Sequence, residues 1–317
     1  MKTFINDLKV GEKFETVFLL KSKEQLKTKE NKPYLKVTLA DKSGVLEGRV
    51  WDNAEVISKR VESGLPVVVK GVVEQWKGDT QAKVSDIRIA EDGEYVHGDL
   101  IRVVENIDAI YDKIKAYLAG ISDEWLTRLS GAFLNDEAFV AKFKKSPGAK
   151  SWHNAYIGGL AEHTWEVMFI VDKICELYSE ADKDVAIMGA FLHDVGKTLE
   201  IDSDKFEYTL DGGLIGHLPL GFEILSIKIG EVDGFPEDLG RHLKHIVLSH
   251  HGEFEQQSPI LPKTLEATIV YHADELVSQA NAVKEIVHKQ STGEKVWSNY
   301  VSIKNRQYLL KKPRVEN

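Results

Sequence analysis

The stretch AFLHDVGKTLEI, residues 190–201, places a histidine and an aspartate side by side inside an apolar run. The apolar residues recur at helical spacing, so the pattern predicts a buried helix from about Lys183 to Lys197. Burying an imidazole or a carboxylate without a partner is unfavourable. His193 and Asp194 therefore either form a structural hydrogen bond or bind a metal ion.

Other histidines share this setting, and eight of the eleven fall between residues 163 and 272. Imidazole with carboxylate suits Mn, Fe, Co, Ni or Zn, whereas an all-oxygen shell would suggest Mg or Ca. The candidate ligands, each embedded in apolar sequence, are His163, His193, Asp194, His217, His250, His251 and Asp274. These seven exceed what one ion needs, so we predict two divalent ions bridged by Asp194. Mn is the first choice, and Co, Fe, Ni and Zn are compatible.

Three of the candidate metal ligands, His217, His250 and His251, have an alternative interpretation. His217 could instead be a residue at the entry of a helix. Of His250 and His251, one could be a ligand while the other contacts the ligand shell or a phosphate, because adjacent helical residues point about 100° apart. Both reach one site only where the helix ends, and Gly252 places that end nearby.

Lys197 follows Asp194 by three residues, on the same predicted helical face. An ammonium there can hold a nonbridging phosphate oxygen as negative charge develops. The alternative is an exposed lysine at the end of the helix. We therefore assign candidate catalytic roles to His193, Asp194 and Lys197.

The first 90 residues have a different periodicity. This region contains five short runs rich in Val, Leu, Ile and aromatic residues, several of which alternate in period two, and turn residues separate them. The pattern predicts a small closed barrel. The segment KPYLKVTLADKSGVLEGRVWD, residues 32–52, resembles the middle of an OB-fold. From about Asp99 onward the spacing is helical, with long helices expected at 103–119, 158–180, 218–231, 237–250 and 265–289.

The chain is therefore predicted to be a multidomain protein in which an all-β OB-fold barrel precedes an all-α helical bundle. The expected boundaries are 1–95 for the barrel, 96–150 for a helical connector, 151–290 for the bundle and 291–317 for a C-terminal tail. The helices at 103–119 and 265–289 could support a homo-oligomer.

Charge is distributed unevenly around a net value of −9. Residues 1–90 hold 17 basic and 13 acidic residues, whereas the remainder holds 24 and 37. A basic front half suits a phosphate backbone, and an acidic back half suits divalent cations. Uneven solvated charge without a function is the alternative.

The barrel also carries candidate groups for single-stranded nucleic acid, since OB-folds stack bases on aromatic side chains and follow the backbone with basic ones. The aromatic candidates are Tyr34, Trp51 and Trp76, and the basic ones are Lys36 and Arg49; further lysines interleaved with the aromatic residues are Lys32, Lys70 and Lys77. Tyr34 and Trp76 lie near polar turns and are expected to be exposed. Trp51 follows Val50 and could instead belong to the barrel core.

Composition and local sequence pattern exclude several classes of protein. No apolar run is long enough to span a bilayer, so no membrane partner is expected, and MKTFINDLKVGEKF lacks a signal-peptide pattern. Cys175 is the sole cysteine, which excludes an internal disulfide and a thiolate zinc site. These features predict a cytoplasmic protein.

The order H, HD, H, HH, D of the candidate ligands resembles the HD-domain metallophosphohydrolase superfamily. An OB-fold ahead of such a domain, with HNAYIGGLAEHT at residues 153–164, resembles the YhaM family of 3′–5′ exoribonucleases. The resemblance implies metal-dependent removal of nucleoside 5′-monophosphates from single-stranded RNA, with single-stranded DNA also open, and a substrate contact for His153. In that family a second histidine is expected where this chain has Asn154.

Two other functions fit the residues. An HD-type phosphohydrolase acting on free nucleotides would explain the metal ligands but would give the barrel no function. A non-enzymatic protein that binds single strands and holds a structural metal would require a closed coordination shell, whereas hydrolysis requires an open position for water.

Overall fold

The computed structural model describes residues 2–28, 30–76, 79–150, 154–290, 296–301 and 304–310. They form two compact units, one comprising residues 1–103 with 204–207 and the other comprising 104–203 with 208–317. The prediction of an N-terminal OB-type barrel followed by a helical domain is confirmed. None of the helices in the described part of the chain combines the length and apolar character needed to cross a bilayer.

The barrel contains five strands that close in the order β1-β2-β3-β5-β4. Their bounds are β1 Lys13–Lys27, β2 Pro33–Asp41, β3 Gly44–Val50, β4 Pro66–Trp76 and β5 Asp79–Ile89. Neighbouring strands pair in antiparallel fashion except β3 and β5, whose parallel pairing closes the barrel. Helix α1, Ala54–Arg60, connects β3 to β4.

The period-two pattern determines which side chains fill the barrel. Along β2, Leu35, Val37 and Leu39 are fully buried, while the residues between them are partly exposed. Burying each such side chain contributes about 1.5–3 kcal/mol. Alternation thus leaves one set of side chains on the outer surface, where a ligand can reach them.

The second unit is helical. A short helix, α2 His97–Leu100, ends the first unit. The elements that follow along the chain are α3 Ile107–Ala119, α4 Glu124–Leu134, α5 Glu137–Lys145, α6 Gly159–Leu177, α7 Lys183–Leu192, α8 Lys197–Glu200, β6 Ile201–Asp202, β7 Glu207–Tyr208, α9 Leu210–Leu214, α10 His217–Gly230, α11 Glu237–Ser249 and α12 Leu265–Gln290. The pattern did not predict β6, β7 or α9, which are too short to show a periodicity.

Aspartates begin three of these helices. The side chains of Asp123, Asp136 and Asp182 each accept hydrogen bonds from backbone N–H groups of the first turn of α4, α5 and α7. These bonds satisfy donors that a helix leaves without an internal partner. The core beneath the helices is apolar and includes Phe133, Phe143 and Phe191.

Candidate metal centre

His193 and Asp194 lie at the end of a helix and not inside it. The helix predicted to reach Lys197 is wrong in its extent, because α7 ends at Leu192 and residues 193–196 form a turn before α8. Gly196 permits this turn to pack closely, since a Cβ at that position would lie 2.0 Å from the backbone oxygen of His217. The break brings the central aspartate next to the start of α10.

Asp194 lies between two groups of histidines. Its Oδ2 atom is 3.4 Å from His193 Nε2 and 3.6 Å from His163 Nε2. Its Oδ1 atom is 3.4 Å from His250 Nε2 and 3.6 Å from His217 Nε2. One carboxylate therefore presents a different oxygen to each group.

The structure brings all seven candidate ligands together. One group contains His163, His193 and Asp194, and the other contains His217, His250 and His251; within each, the ligand atoms lie within 4.8 Å of one another. Asp274 joins the first group, because its Oδ1 is 3.1 Å from His163 Nε2.

Backbone carbonyls orient three of the histidine rings. The Nδ1 atoms of His193, His250 and His251 lie 2.7 Å from Ala190 O, 2.8 Å from Val247 O and 2.8 Å from Gln256 O. A carbonyl can only accept, so each Nδ1 carries a proton, and in the neutral ring Nε2 is then the nitrogen that can bind a metal. Hydrogen bonds of this kind fix the tautomer and direction of metal-binding histidines.

Glu200 performs the same task for His217 and was missed by sequence reasoning. Its Oε1 accepts from His217 Nδ1 at 2.9 Å and from the backbone N–H of His217 at 3.0 Å. The side chain is buried at the end of α8. The available signal was an acidic residue between Leu199 and Ile201, at the end of an apolar run.

His250 and His251 reach the same group because α11 stops at Ser249. Gly252 follows with φ +76°, a left-handed conformation that glycine adopts readily. A Cβ at Gly252 would also lie 2.1 Å from the ring of Tyr271. The end of the helix, and not a helical face, thus places two adjacent histidines side by side.

Lys197 begins α8, and its Nζ lies 2.5 Å from Asp194 Oδ2. Its side chain is only 11% exposed, so the exposed-lysine alternative does not describe it. Burial by itself lowers the pKa of Lys197, but the charge of Asp194 outweighs burial and raises that pKa above its usual value. A permanent cation therefore stands beside the central carboxylate.

Most of the other pKa shifts among the candidate ligands suit metal binding, which requires deprotonated groups. His193 is the exception, because burial lowers its pKa but the charge of Asp194 outweighs burial and raises that pKa above its usual value. Burial raises the pKa of Asp194 and of Asp274, but their hydrogen-bonded and charged neighbours hold both well below the usual range. Burial, together with His250 and His217, lowers the pKa of His251 to about 3.

Two observations test whether these residues fit metal ions. Asp194 Oδ1 and His250 Nε2 are buried and have no hydrogen-bond partner among the described residues. In addition, His217 Nε2 and His251 Nε2 are 3.1 Å apart, although two neutral rings with facing lone pairs would repel. Two nitrogens bound at about 2.1 Å to one ion stand about 3.0 Å apart at an octahedral angle and about 3.4 Å apart at a tetrahedral one. The residues fit divalent transition metals.

The predicted substrate residues of the barrel occupy its outer surface. Tyr34 and Trp51 stack with ring centroids 4.9 Å apart, and Trp51 is 39% exposed, so it does not belong to the core. Trp76 is also exposed, at the end of β4. Lys36 pairs with a glutamate on β3, and Arg49 donates to a glutamine on β5.

The sequence singled out two residues of the HNAYIGGLAEHT segment, His153 and Asn154. His153 lies outside the described residues. Asn154 is buried with φ 51°, donates to the hydroxyl of Tyr156 at 3.1 Å and accepts from Asn281 at 3.3 Å. Its amide is therefore part of a buried polar network beside α6.

Two family models match separate parts of the chain. Residues 160–278 match the family model of the HD domain, and residues 20–90 match that of the OB-fold nucleic acid binding domain. The second OB-fold domain of replication protein A from Methanococcus maripaludis is 20% identical, with a TM-score of 0.25, covering 29% of this chain and 98% of that one. The mitochondrial single-stranded DNA binding protein of S. cerevisiae is 18% identical, with a TM-score of 0.24, covering 27% and 99%.

Residues 160–278 thus form an HD domain, and HD domains belong to the metal-dependent phosphohydrolases. The matches to the HD domain and to the OB-fold nucleic acid binding domain lie in separate parts of the chain, and together they support a nucleic-acid-related hydrolase.

Proposed function

We propose that the protein is a metal-dependent 3′–5′ exoribonuclease of the YhaM type, which hydrolyses single-stranded RNA to nucleoside 5′-monophosphates. The observation that carries the proposal is the position of Asp194, whose two oxygens face separate ligand groups, in a chain that also contains an OB-fold. A phosphohydrolase acting on free nucleotides would need the first feature alone.

Two divalent ions, Mn by first choice, would be held by the seven ligands with Asp194 shared between them. When bound, such ions lower the pKa of water and offset charge on a phosphoryl group. The first group with Asp274 would hold one ion, and His217, His250 and His251 would hold the other. Glu200 and the backbone carbonyls keep the rings in position.

Lys197 supplies a positive charge that needs no metal. Its ammonium lies against Asp194 with a small exposed fraction, within reach of the centre that a phosphodiester would approach. We assign it the contact to a nonbridging oxygen, where a preorganised cation stabilises the developing charge. His193 and Asp194 act as ligands in this scheme and not as nucleophiles.

The barrel binds the strand in this proposal. Tyr34, Trp51 and Trp76 offer ring surfaces for bases, each stacked base contributing about 1–3 kcal/mol. Lys36 and Arg49 would contact phosphates, and His153 would contact substrate near the metal centre. Single-stranded DNA would bind the same groups, because none of them requires a 2′-hydroxyl.

Domain limits at 1–95, 96–150, 151–290 and 291–317 belong to the same proposal, as does self-association through the long helices. We place the activity in the cytoplasm, because the sole cysteine, Cys175, is buried and cannot form an internal disulfide.

The test uses single-stranded RNA labelled at its 5′ end and incubated with the intact protein and Mn, beside a free nucleoside triphosphate. A descending ladder in steps of one nucleotide supports the proposal, and a 3′-terminal phosphate should slow it. The control is the double variant His193→Ala and Asp194→Ala, which should leave the RNA intact.

Other patterns of products would contradict the proposal. Early fragments of middle length indicate an endonuclease, and a labelled mononucleotide as first product indicates the opposite polarity. Hydrolysis of the triphosphate alone indicates a nucleotide phosphohydrolase. Binding of RNA without any hydrolysis in Mn, Co or Zn indicates a structural metal.

A further inference from the structure

A cavity of about 600 Å³ lies on the barrel beside Trp51, away from most of the predicted substrate residues. Its walls come from β1, β4 and β5, whereas Tyr34, Lys36 and Arg49 lie on β2 and β3. Its lining includes three lysines, Lys13, Lys70 and Lys83, and two aromatic residues, of which Phe14 is buried and Trp51 is exposed.

Strand register places four basic residues in one row. Lys36 pairs with Arg49, and Arg49 pairs with Lys83 across the parallel β3–β5 contact. Lys83 pairs with Val72, which pairs with Lys13. Paired residues share a face and neighbouring strands are about 4.8 Å apart, so the row extends about 20 Å along the curved outer surface of the closed barrel. It leads from the predicted substrate residues to the cavity.

A β-bulge forms the cavity where β4 meets β5. Lys70 pairs with Asp86 but Gly71 pairs with Val84, so Ser85 is the extra residue. Bulges bend a strand and redirect its side chains. β4 and β5 pack closely at Gly71 in the cavity lining, because a Cβ there would lie 2.8 Å from the backbone oxygen of Lys83.

The charged residues that line the cavity favour binding of an anion. Lys13 and Lys83 are exposed and form no ion pair with the part of the chain that the structure describes. Lys70 pairs with Glu15 at 3.0 Å, but both side chains are about half exposed, so the pair is weak and can be exchanged for a phosphate. Glu15 and Asp52 are the acidic residues of the lining, against three lysines.

Trp51 connects the row with the cavity. Tyr34 stacks on its ring, and the same indole lines the cavity. Support by Tyr34 holds the indole in one orientation, so little rotamer freedom is lost when a base stacks on it. An aromatic ring next to three cations is the combination that binds single-stranded nucleic acid with little sequence preference.

We propose that this cavity binds a nucleotide of the single strand, with its base against Trp51 and the flanking phosphates on Lys83, Lys70 and Lys13. The inference rests on the proposed binding of single strands by the barrel. The strand then crosses from β2 and β3 over β5 and β4 to β1. Its binding site on the barrel is therefore longer than the surface of β2 and β3 alone.

The experiment measures binding of fluorescent oligouridylate and oligothymidylate of about 12 nucleotides, a length within the range of OB-fold sites. The intact protein is used with a chelator, so that the probe is not hydrolysed. The variant combines Lys13→Glu and Lys83→Glu. The matched control is Lys59→Glu together with Lys9→Glu, two exposed lysines outside the cavity lining, which changes the net charge equally.

We expect the cavity variant to bind at least tenfold more weakly than the control. The slope of log K against log salt should also fall by about 1.4, since each phosphate contact on a single strand contributes about 0.7. If the cavity variant and the control bind alike while the unaltered protein binds well, the path over β5, β4 and β1 is wrong and the proposed function stands. If the unaltered protein binds neither probe, both proposals are wrong.

Discussion

Glu200 accepts two hydrogen bonds from His217, one from the ring Nδ1 at 2.9 Å and one from the backbone at 3.0 Å. Glu200 thus determines both the position of His217 at the start of α10 and the direction of its Nε2. The carboxylate lies behind a candidate ligand and does not belong to either ligand group.

Replacing Glu200→Gln should lower metal affinity by about 10–100-fold, because hydrogen bonds to ligand rings affect affinity to that extent. Calorimetric titration of the metal-free protein with Mn and Zn measures the change. Glu223→Gln is the control, since Glu223 is exposed on α10, the helix that begins at His217. Equal affinities for the two variants would show that Glu200 does not position a ligand.

Asp194→Asn should impair both ligand groups, because each oxygen of Asp194 faces one of them. His251→Ala should impair only the group that contains His217 and His250. The measurement is the number of Mn ions bound per chain at equilibrium. We expect two ions in the unaltered protein, about one in His251→Ala and fewer in Asp194→Asn.

His272→Ala serves as control for these variants, because His272 is exposed on α12. Chelation should abolish hydrolysis by the unaltered protein, and added Mn should restore it. One ion per chain in the unaltered protein, or hydrolysis that persists after chelation, would contradict the two-ion centre.

Gly252→Ala should destabilise the helical domain. The left-handed conformation alone costs about 1–3 kcal/mol for a residue with a side chain, and the added Cβ would overlap the ring of Tyr271. Denaturant unfolding measures the loss. Gly230→Ala is the control, because a Cβ there meets open space at the end of α10. Unchanged stability in Gly252→Ala would show that the chain relaxes at this turn without cost.

Asp184 provides a pH-dependent contribution to stability. Its carboxylate accepts hydrogen bonds from Ser122 N at 2.8 Å, Ser122 Oγ at 2.7 Å and Asp123 N at 2.9 Å. Burial opposes these bonds, but they hold the pKa of Asp184 below its usual value. The stabilisation is present above the pKa of the unfolded chain, about 3.9, and is lost as pH falls through the lower folded pKa.

Asp184→Asn should therefore reduce the free energy of unfolding by about 1–3 kcal/mol at neutral pH. The difference from the unaltered protein should shrink below a pH of about 4. Urea unfolding across this range tests it, with Asp233→Asn as an exposed control of equal charge. A difference that stays constant down to pH 2 would exclude the carboxylate as its source.

Trp51→Ala should weaken binding of a single-stranded oligonucleotide by about 1–3 kcal/mol, because one stacking platform is removed. Hydrolysis of a dinucleotide, which does not extend over the barrel in our proposal, should change little. Trp297→Ala is the control, since Trp297 is an exposed tryptophan outside the barrel. Equal binding by both variants would contradict a role of Trp51 in stacking.

Much of the architecture follows from the sequence by itself. The period-two runs predict the five strands, and the helical spacing predicts the long helices, because each pattern depends on near neighbours along the chain. The embedded histidines and aspartates indicated one polar centre, since buried polar groups require partners. The position of Gly252 also indicated where α11 ends.

Only the tertiary structure decided how these residues meet. The division of the Asp194 oxygens between two groups, the support of His217 by Glu200 and the turn that interrupts the helix at His193 depend on packing between helices distant in sequence. The basic row that ends at Lys13 likewise depends on strand register. Periodicity determines which face of an element is buried, whereas the distances between atoms on different elements are set by how those faces pack together.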